Sequence, residues 1–404
     1  MLLSIVEALD CIEQHIAPLQ NEIIPIESAV GRIVAQSYYA TFDLPRFDNS
    51  AMDGYAVKVS NSGCSVVVSD VIYAGDIPKI SLQSGCAIKI MTGAPIPKEC
   101  EAVVSIEEVT QEGEYIKLPK GIKEGNFIRK AGEDIAKGSC YLERGEEIRP
   151  YTIASLASQG VTHVVVVRKI KVAIFGTGDE LCLHFEKIAP HQLYNSNSPM
   201  FLARAFALGC DTRLIQTAVD TLDALKSSIL STLDVDIVVT SGGVSVGDKD
   251  FTKQAFEELG MQTLFDGVDI KPGRPTVVGK IGDTTVINLP GNPLAAMVNF
   301  ELFVRAVIRK MSGRKERFHG TITTKLKQEV RLKGGKTTAL LGSFDGDSFV
   351  LLRNQKPGMV LPMQKADGMI LISSEVSYLP EGEVVKMLPI VWECTSQTKS
   401  NIFC

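Results

Sequence analysis

The sequence predicts a multidomain α/β plus β protein: a central α/β unit built on a parallel sheet, a β-rich unit inserted near the N-terminus, and a separate C-terminal β domain. Three observations carry this reading. From Lys171 to Lys310, β-branched apolar runs alternate with amphipathic segments, the pattern of a parallel sheet flanked by helices. Between Val57 and Asp134, short β-prone runs are punctuated by Gly, Pro and Asp. After Arg314 the helical periodicity fades and strand-length apolar runs return.

The 404 residues are 45% hydrophobic and 22% charged, an ordinary composition able to bury a large core. The net charge of −5 argues against a nucleic-acid surface as the main function. No apolar run approaches the length of a membrane span, and Met1 to Glu7 does not read as a secretory signal. Nine scattered cysteines without a Cys-x-x-Cys pair fit reduced thiols in a cytoplasmic protein, and the five histidines show no metal-ligand spacing.

In chain order, Ser4 and Glu7 form a capping-box pattern ahead of Ile5, Leu9, Ile12 and Ile16, which predicts a helix over residues 4–17. A second short helical piece is expected from Ile26 to Gln36. Phe42 to Ala56 is rich in turn formers and carries Asp43, Asp48 and Asp53. Strands are expected at Cys64–Val71, Ala87–Met91, Ala102–Glu107 and Tyr115–Leu118, in a barrel-like or sandwich-like unit. Pro150–Gln159 reads as a helix with proline in its first turn and Gly160 past its end, followed by a strand at Val161–Val167. These two elements are expected to pack with the N-terminal helices. The division predicted is therefore a discontinuous first unit (1–42 and 135–170), an insertion (43–134), the α/β unit (171–313) and a C-terminal unit (314–404).

Within the α/β unit, strands are expected at Lys171–Phe175, Thr212–Ala218, Asp236–Thr240, Pro275–Val278 and Thr285–Leu289. Helices are expected at Pro199–Leu208, Leu222–Leu233, Phe251–Leu259 and Pro293–Lys310. The C-terminal strands are expected at Thr321–Lys333, Thr338–Ser343, Phe349–Arg353, Met369–Ser373 and Glu383–Leu388, with a polar tail from Thr395.

In an open parallel sheet, ligands bind beyond the carboxyl ends of the strands. There the sequence places Gly176–Leu181, Asp220, Thr240–Asp250 and Pro290–Pro293. The paired Gly242 and Gly243 let the backbone approach an anion at a helix start, and Asp248 and Asp250 share that loop. If Asp179–Glu180, Asp220 and Asp248/Asp250 converge with Asp53 or Asp134, they make a hard-oxygen environment for magnesium bound together with phosphates. The proline-stiffened loop Ile270–Pro275 offers Lys271 and Arg274 to an oxyanion. Each piece also has a plainer reading: Asp53 holding a turn, Asp179 and Glu180 capping a helix, Lys271 and Arg274 in solvent. There is no P-loop signature and no Gly-x-Gly-x-x-Gly after the first α/β strand.

Taken together, Phe47–Ala56, Met91–Pro95, Gly132–Asp134, Thr177–Leu181, Ser241–Gly247, Lys271–Pro275 and Leu289–Pro293 closely resemble the molybdopterin molybdenumtransferases. That is the MoeA family, which includes the E domain of gephyrin. The resemblance implies insertion of molybdate into adenylylated molybdopterin, with magnesium and release of AMP. It implies that the α/β unit is the molybdopterin-binding domain. It also implies an elongated homodimer of four-domain subunits, with an active site formed between the α/β unit of one subunit and the insertion of the other. An adenylyltransferase of the same pathway is the implied partner. By motif, Asp53, Asp134, Glu180, Asp220 and Asp250 match acidic positions needed for activity, with Glu180, Asp220 and Asp250 as the metal set. Ser241, Gly242 and Gly243 match the molybdopterin-binding loop. Lys271, Pro290 and Pro293 match loops around pterin and oxyanion, and Thr92, Arg274, Gly291 and Asn292 lie in the same motifs.

Some positions depart from the family. Gly267 stands where a lysine is frequent, four positions before Lys271, and Arg274 replaces a frequent lysine. The nearest matches to a C-terminal arginine and serine are Leu341 before Gly342 and the Pro357–Met359 region, with Lys336 or Arg353 as substitutes. Three other readings follow: a non-catalytic molybdopterin-binding scaffold, a tungstate-inserting variant, and an adenylyltransferase of the pathway. The last usually carries Gly-Gly-Thr-Gly, where this chain has Gly243-Val244-Ser245-Val246-Gly247.

Overall fold

The computed structural model describes residues 2–77, 81–178, 180–215, 221–243 and 251–390. Its centre is a six-stranded sheet in the spatial order Asp211–Leu214, Lys171–Gly176, Ile237–Ser241, Thr284–Leu289, Val277–Ile281, Gln262–Asp266. The first four strands run parallel, as the strand–helix alternation predicts, and the last two are antiparallel additions at one edge. The edge strand Gln262–Asp266 is absent from the sequence expectation because only Phe265 in it is buried, so no apolar run marks it. Alternate residues of the inner strands feed two cores. Val172, Ile174, Val239 and Ile287 face Phe201, Phe300 and Phe303, while Ala173, Phe175 and Val238 face Leu225, Ile229 and Phe256. Each such large apolar side chain contributes on the order of 1.5–3 kcal/mol by leaving water. The expected helix Pro293–Lys310 is present as Pro293–Asn299 and Arg305–Met311, joined by a π turn at Phe300–Val304.

The first helix is Ile5–His15, closed by the predicted Ser4/Glu7 capping box. Its apolar stripe does not join the cluster around Leu156 and Val164. Ala8, Ile12 and Ile16 join the α/β core beside Phe265 and Val307, and Glu13 bonds Lys310 and Arg317 at 2.7 Å each. Where a helical piece is expected over Ile26–Gln36, the structure has one 3-10 turn, Ile26–Ser28, and isolated bridges at Ile33 and Val34, preceded by a strand, Asn21–Pro25. Asn21–Pro25 pairs with His163–Val167, and Ile33 and Val34 bridge to Glu147 and Val166. These β-branched residues find strand partners, which outweigh their helix-like spacing.

The chain leaves this region and returns to it through paired segments: Tyr38–Tyr39 with Cys140–Leu142, Leu44 with Ile135, and Asn49–Ser50 with Ile128–Arg129. Between them lies a mixed sheet in the order Ala102–Ser105, Gly54–Val57, Cys86–Ile90, Ser65–Ile72, Tyr115–Lys117, Thr110–Glu112. It is one sheet with an apolar cluster on each face, rather than a barrel or two facing sheets.

The C-terminal strands close into a five-stranded barrel, Ile322–Leu326, Ser348–Leu351, Thr338–Phe344, Gly368–Ile372, Val384–Pro389. Phe349, Ile370 and Met387 fill its interior, while Leu341, Met369 and Leu388 belong to the α/β core. Buried Glu301 reinforces this junction. It accepts from Arg204 (2.6 and 3.0 Å) and Arg305 (3.3 Å), and these arginines also donate to Ile390 O and Pro389 O.

Candidate active site

Loops following three adjacent parallel strands meet in a groove of about 780 Å³. Thr177, Gly178 and Glu180 follow Lys171–Gly176. Ser241, Gly242 and Gly243 end Ile237–Ser241, and Pro290 to Pro293 follow Thr284–Leu289. Leu193 to Asn197 form a wall, and Gly358 and Val360 of the C-terminal unit complete the rim.

Backbone bonds pin the loops to one another. Thr177 N donates to Ser241 O at 3.0 Å, Gly242 N to Leu289 O at 3.2 Å, and Leu294 N to Pro357 O at 2.9 Å. Gly242 has a φ of 102°, and a Cβ there would lie 2.5 Å from Thr177 O, so the loops approach this closely only with glycine.

Of the expected site residues, Glu180, Ser241, Gly242, Gly243, Pro290, Gly291, Asn292 and Pro293 are brought together in this groove. Glu180 is exposed, and no described residue donates to its carboxylate, which leaves a hard oxygen ligand free. No group of three or more metal-type ligands converges among the described residues. Asp179, Asp220, Asp248 and Asp250, with the rest of 244–250, lie outside the described residues. Magnesium fits the chemistry of the free Glu180 oxygens in a polar groove.

The basic loop does not face the groove as expected. Lys271 and Arg274 are exposed and outside its lining, and only Pro275 reaches it. Lys271 is tied to the barrel edge: its N–H donates to Thr337 O and its carbonyl accepts from Ala339 N, both at 2.8 Å. Strand pairing at Thr338 thus decides where the loop sits.

Asp53 and Thr92 meet each other but not the groove. Thr92 N and Oγ1 both donate to Asp53 Oδ1 at 2.7 Å, which holds the Asp53 carboxyl below its usual range. Asp134 is exposed nearby in sequence to Lys130, and its N–H donates to Leu44 O at 3.0 Å. No described residue from 43 to 134 lines the groove of its own chain. The other two aspartates of the turn-rich stretch are structural. Asp48 accepts from Lys130 Nζ and Ala131 N at 2.9 Å, and Asp43 from Lys137 N at 2.7 Å.

Sequence reasoning missed Asn195 and Asn197. Their only signal was an Asn-Ser-Asn-Ser run before a helix, ordinary for a helix start. Asn197 is buried and bonds both Ser241 and Gly291. The departures also have locations. Gly267 abuts the N-terminus, where a Cβ would lie 2.6 Å from Leu2 Cδ2. Leu341 is fully buried in the core and therefore does not stand in for a groove-facing arginine, whereas Gly358 does line the groove. Lys336 and Arg353 are exposed. A second cleft, about 530 Å³ between Tyr151 and Arg314–Glu316, holds none of the candidate residues, and Arg314 and Lys315 there pair with Glu147 and Glu143.

The seven cysteines within the described residues are free, and no described helix is long and apolar enough to cross a membrane. Family models match in three blocks: "MoeA N-terminal region (domain I and II)" over residues 3–160, "Probable molybdopterin binding domain" over 173–310, and "MoeA C-terminal region (domain IV)" over 323–390. The chain is 36% identical over 328 residues to a molybdopterin molybdenumtransferase of Haemophilus influenzae, covering 79% of this chain and 81% of that one. It is 31% identical over 401 residues to one from Staphylococcus epidermidis, covering 96% and 95%. A molybdopterin biosynthesis MoeA protein from Pyrococcus horikoshii superposes with a TM-score of 0.86 at 26% identity, over 96% of this chain and 100% of that one. The matched blocks and the relatives agree in order and extent, and the chain belongs to the MoeA family of molybdopterin molybdenumtransferases, with a role in molybdenum cofactor biosynthesis.

Proposed function

We propose that this chain inserts molybdate into the dithiolene of adenylylated molybdopterin and releases AMP. The observation that carries the proposal is the groove where Glu180, Ser241–Gly243 and Pro290–Pro293 meet at the ends of parallel strands, in a chain of this family. In the reaction, two Mo–S bonds form as one oxo group leaves as water with the two thiol protons. One water is consumed in splitting the phosphoanhydride, and molybdenum keeps its oxidation state.

Ser241–Gly243 and the Pro290–Pro293 turn cradle the pterin and its phosphate, where backbone rather than side chains approaches the ligand. Glu180, with Asp220 and Asp250, would hold magnesium, which when bound would supply charge neutralisation at the phosphoanhydride. Lys271 and Arg274, exposed beside Pro275 at the groove rim, attract molybdate toward the groove by charge rather than by contact within it. Asp53, Thr92 and Asp134 act from the insertion of a second subunit in a homodimer. Support for that arrangement is their exposure together with the absence of any residue 43–134 from the described lining of their own chain's groove. The same reading has the protein act in the cytoplasm, receive its substrate from the pathway's adenylyltransferase, and divide at 42/43, 134/135, 170/171 and 313/314.

The test incubates the full chain with adenylylated molybdopterin and magnesium, with molybdate or tungstate, and follows AMP. Release that depends on molybdate and falls on magnesium removal is expected. Substrate binding without AMP release at any oxyanion concentration would mark the protein as a scaffold, and release with tungstate alone would make it a tungstate enzyme.

A further inference from the structure

The segment from Leu193 to Ser198 is bonded to the loops that follow all three parallel strands of the groove. Leu193 N donates to Glu180 O at 2.7 Å, and Asn195 N to Cys182 O at 2.8 Å. Asn197 Nδ2 donates to Gly291 O at 2.8 Å and to Ser241 Oγ at 3.3 Å. Ser241 and Gly291 belong to different loops, so one amide spans both. Because Gly291 O only accepts, the Asn197 amide must turn its nitrogen toward it. Asn197 Oδ1 is then left without a partner among the described residues, although the side chain is 6% exposed and lines the groove. For stability alone this is a poor arrangement, since an orphan buried acceptor costs more than an apolar group of the same size. What the nitrogen holds accounts for it.

Resting on the transferase reading above, we infer that Asn197 is a positioning residue for the pterin substrate. Its amide fixes the separation of the Ser241–Gly243 and Pro290–Pro293 loops, so that the groove presents one shape to the pterin and its phosphate. Asn197 takes no part in making or breaking bonds. Its contribution is to binding, by keeping the competent arrangement of two loops populated.

The test compares full-length wild type with Asn197→Ala, Asn197→Asp, Asn197→Ser, Ser241→Ala and the Asn197→Ala/Ser241→Ala double variant. AMP release is measured over a range of adenylylated molybdopterin, with molybdate and magnesium, beside melting temperature. Asn197→Ala is expected to raise KM on the order of tenfold, by lowering the competent fraction, while kcat changes by less than about threefold. Asn197→Asp keeps the shape but sets an oxygen against Gly291 O, and is expected to be at least as impaired. Asn197→Ser keeps a hydroxyl donor and recovers part of the loss. The change in log KM of the double variant is smaller than the sum of the two single-variant changes, because both substitutions remove the same Asn197–Ser241 bond. If Asn197→Ala does not fold, the Asp and Ser variants carry the comparison. An unchanged KM, an Asp variant equal to wild type, or a fall in kcat alone overturns the inference. A wild type that releases no AMP removes the transferase reading and this inference together, whereas an active wild type with an unaffected Asn197→Ala removes only the latter.

Discussion

Gly242→Ala is the most informative single perturbation of the groove. Gly242 sits at φ 102°, beyond the small left-handed basin that other residues tolerate. Holding alanine there costs about 1–2 kcal/mol before any contact is counted. The new Cβ would also lie 2.5 Å from Thr177 O, a backbone atom that cannot rotate away. One loop must therefore move, and the Gly242 N–H to Leu289 O bond is lost, at a further cost of about 0.5–1.5 kcal/mol. A total of about 1.5–3.5 kcal/mol lowers the ratio of native to displaced loop by roughly one to two and a half orders of magnitude. If substrate binds only the native loop, KM for adenylylated molybdopterin rises by about the same factor. The assay is AMP release against substrate concentration, with Gly160→Ala as control. Gly160 shares a positive φ of 72°, but a Cβ added there would meet nothing within 4 Å, and it follows the helix Pro150–Ser158, away from the groove. The control is expected to lose some stability and keep its KM. A Gly242→Ala enzyme with KM within about twofold of wild type would refute the cradle role of this loop.

Three further outcomes are expected. Asp53→Asn keeps an acceptor for Thr92 but removes an exposed charge, so AMP release falls more than about tenfold; a change confined to melting temperature would show a structural aspartate instead. Burial raises the Asp236 carboxyl, but Arg168 (2.8 and 2.6 Å) and the Lys171 N–H (2.8 Å) outweigh it and hold it below its ordinary range. A depressed folded pKa gives stability that is present above the unfolded value and lost as pH falls through the folded one. The gap between wild type and Asp236→Asn in urea melts is therefore full near neutrality and shrinks below about pH 4; a gap independent of pH contradicts the linkage. Leu341→Arg buries an unpaired charge between barrel and α/β unit, destabilising by about 3–5 kcal/mol in thermal melts. A stable variant with tighter molybdate binding would overturn this placement.

The parallel strands were legible because Ile237–Ser241 and Lys171–Gly176 are buried on both faces and read as continuous apolar runs. The first helix was legible through Ser4 and Glu7, although its partner was not, since an apolar stripe does not name what covers it. Gln262–Asp266 was invisible for the opposite reason, being mostly exposed. At the site, the glycines and prolines of the loops announced themselves through the backbone geometry they permit. Asn197 did not, because its importance lies in bonds to Ser241 and Gly291, distant in sequence. The position of Lys271 is likewise set by the barrel edge at Thr338, a pairing that no local pattern reveals. The transferase relatives do not favour the scaffold or tungstate alternatives.

In the proposed homodimer, Glu180 of one subunit works with Asp53 of the other in a single site. The direct measurement is AMP release by a mixture of two inactive variants, Asp53→Asn and Glu180→Gln, coexpressed and purified together. Random pairing makes about half of the dimers mixed, each with one intact site, so about a quarter of wild-type activity should return. Activity no greater than the sum of the two variants assayed separately would contradict the shared site.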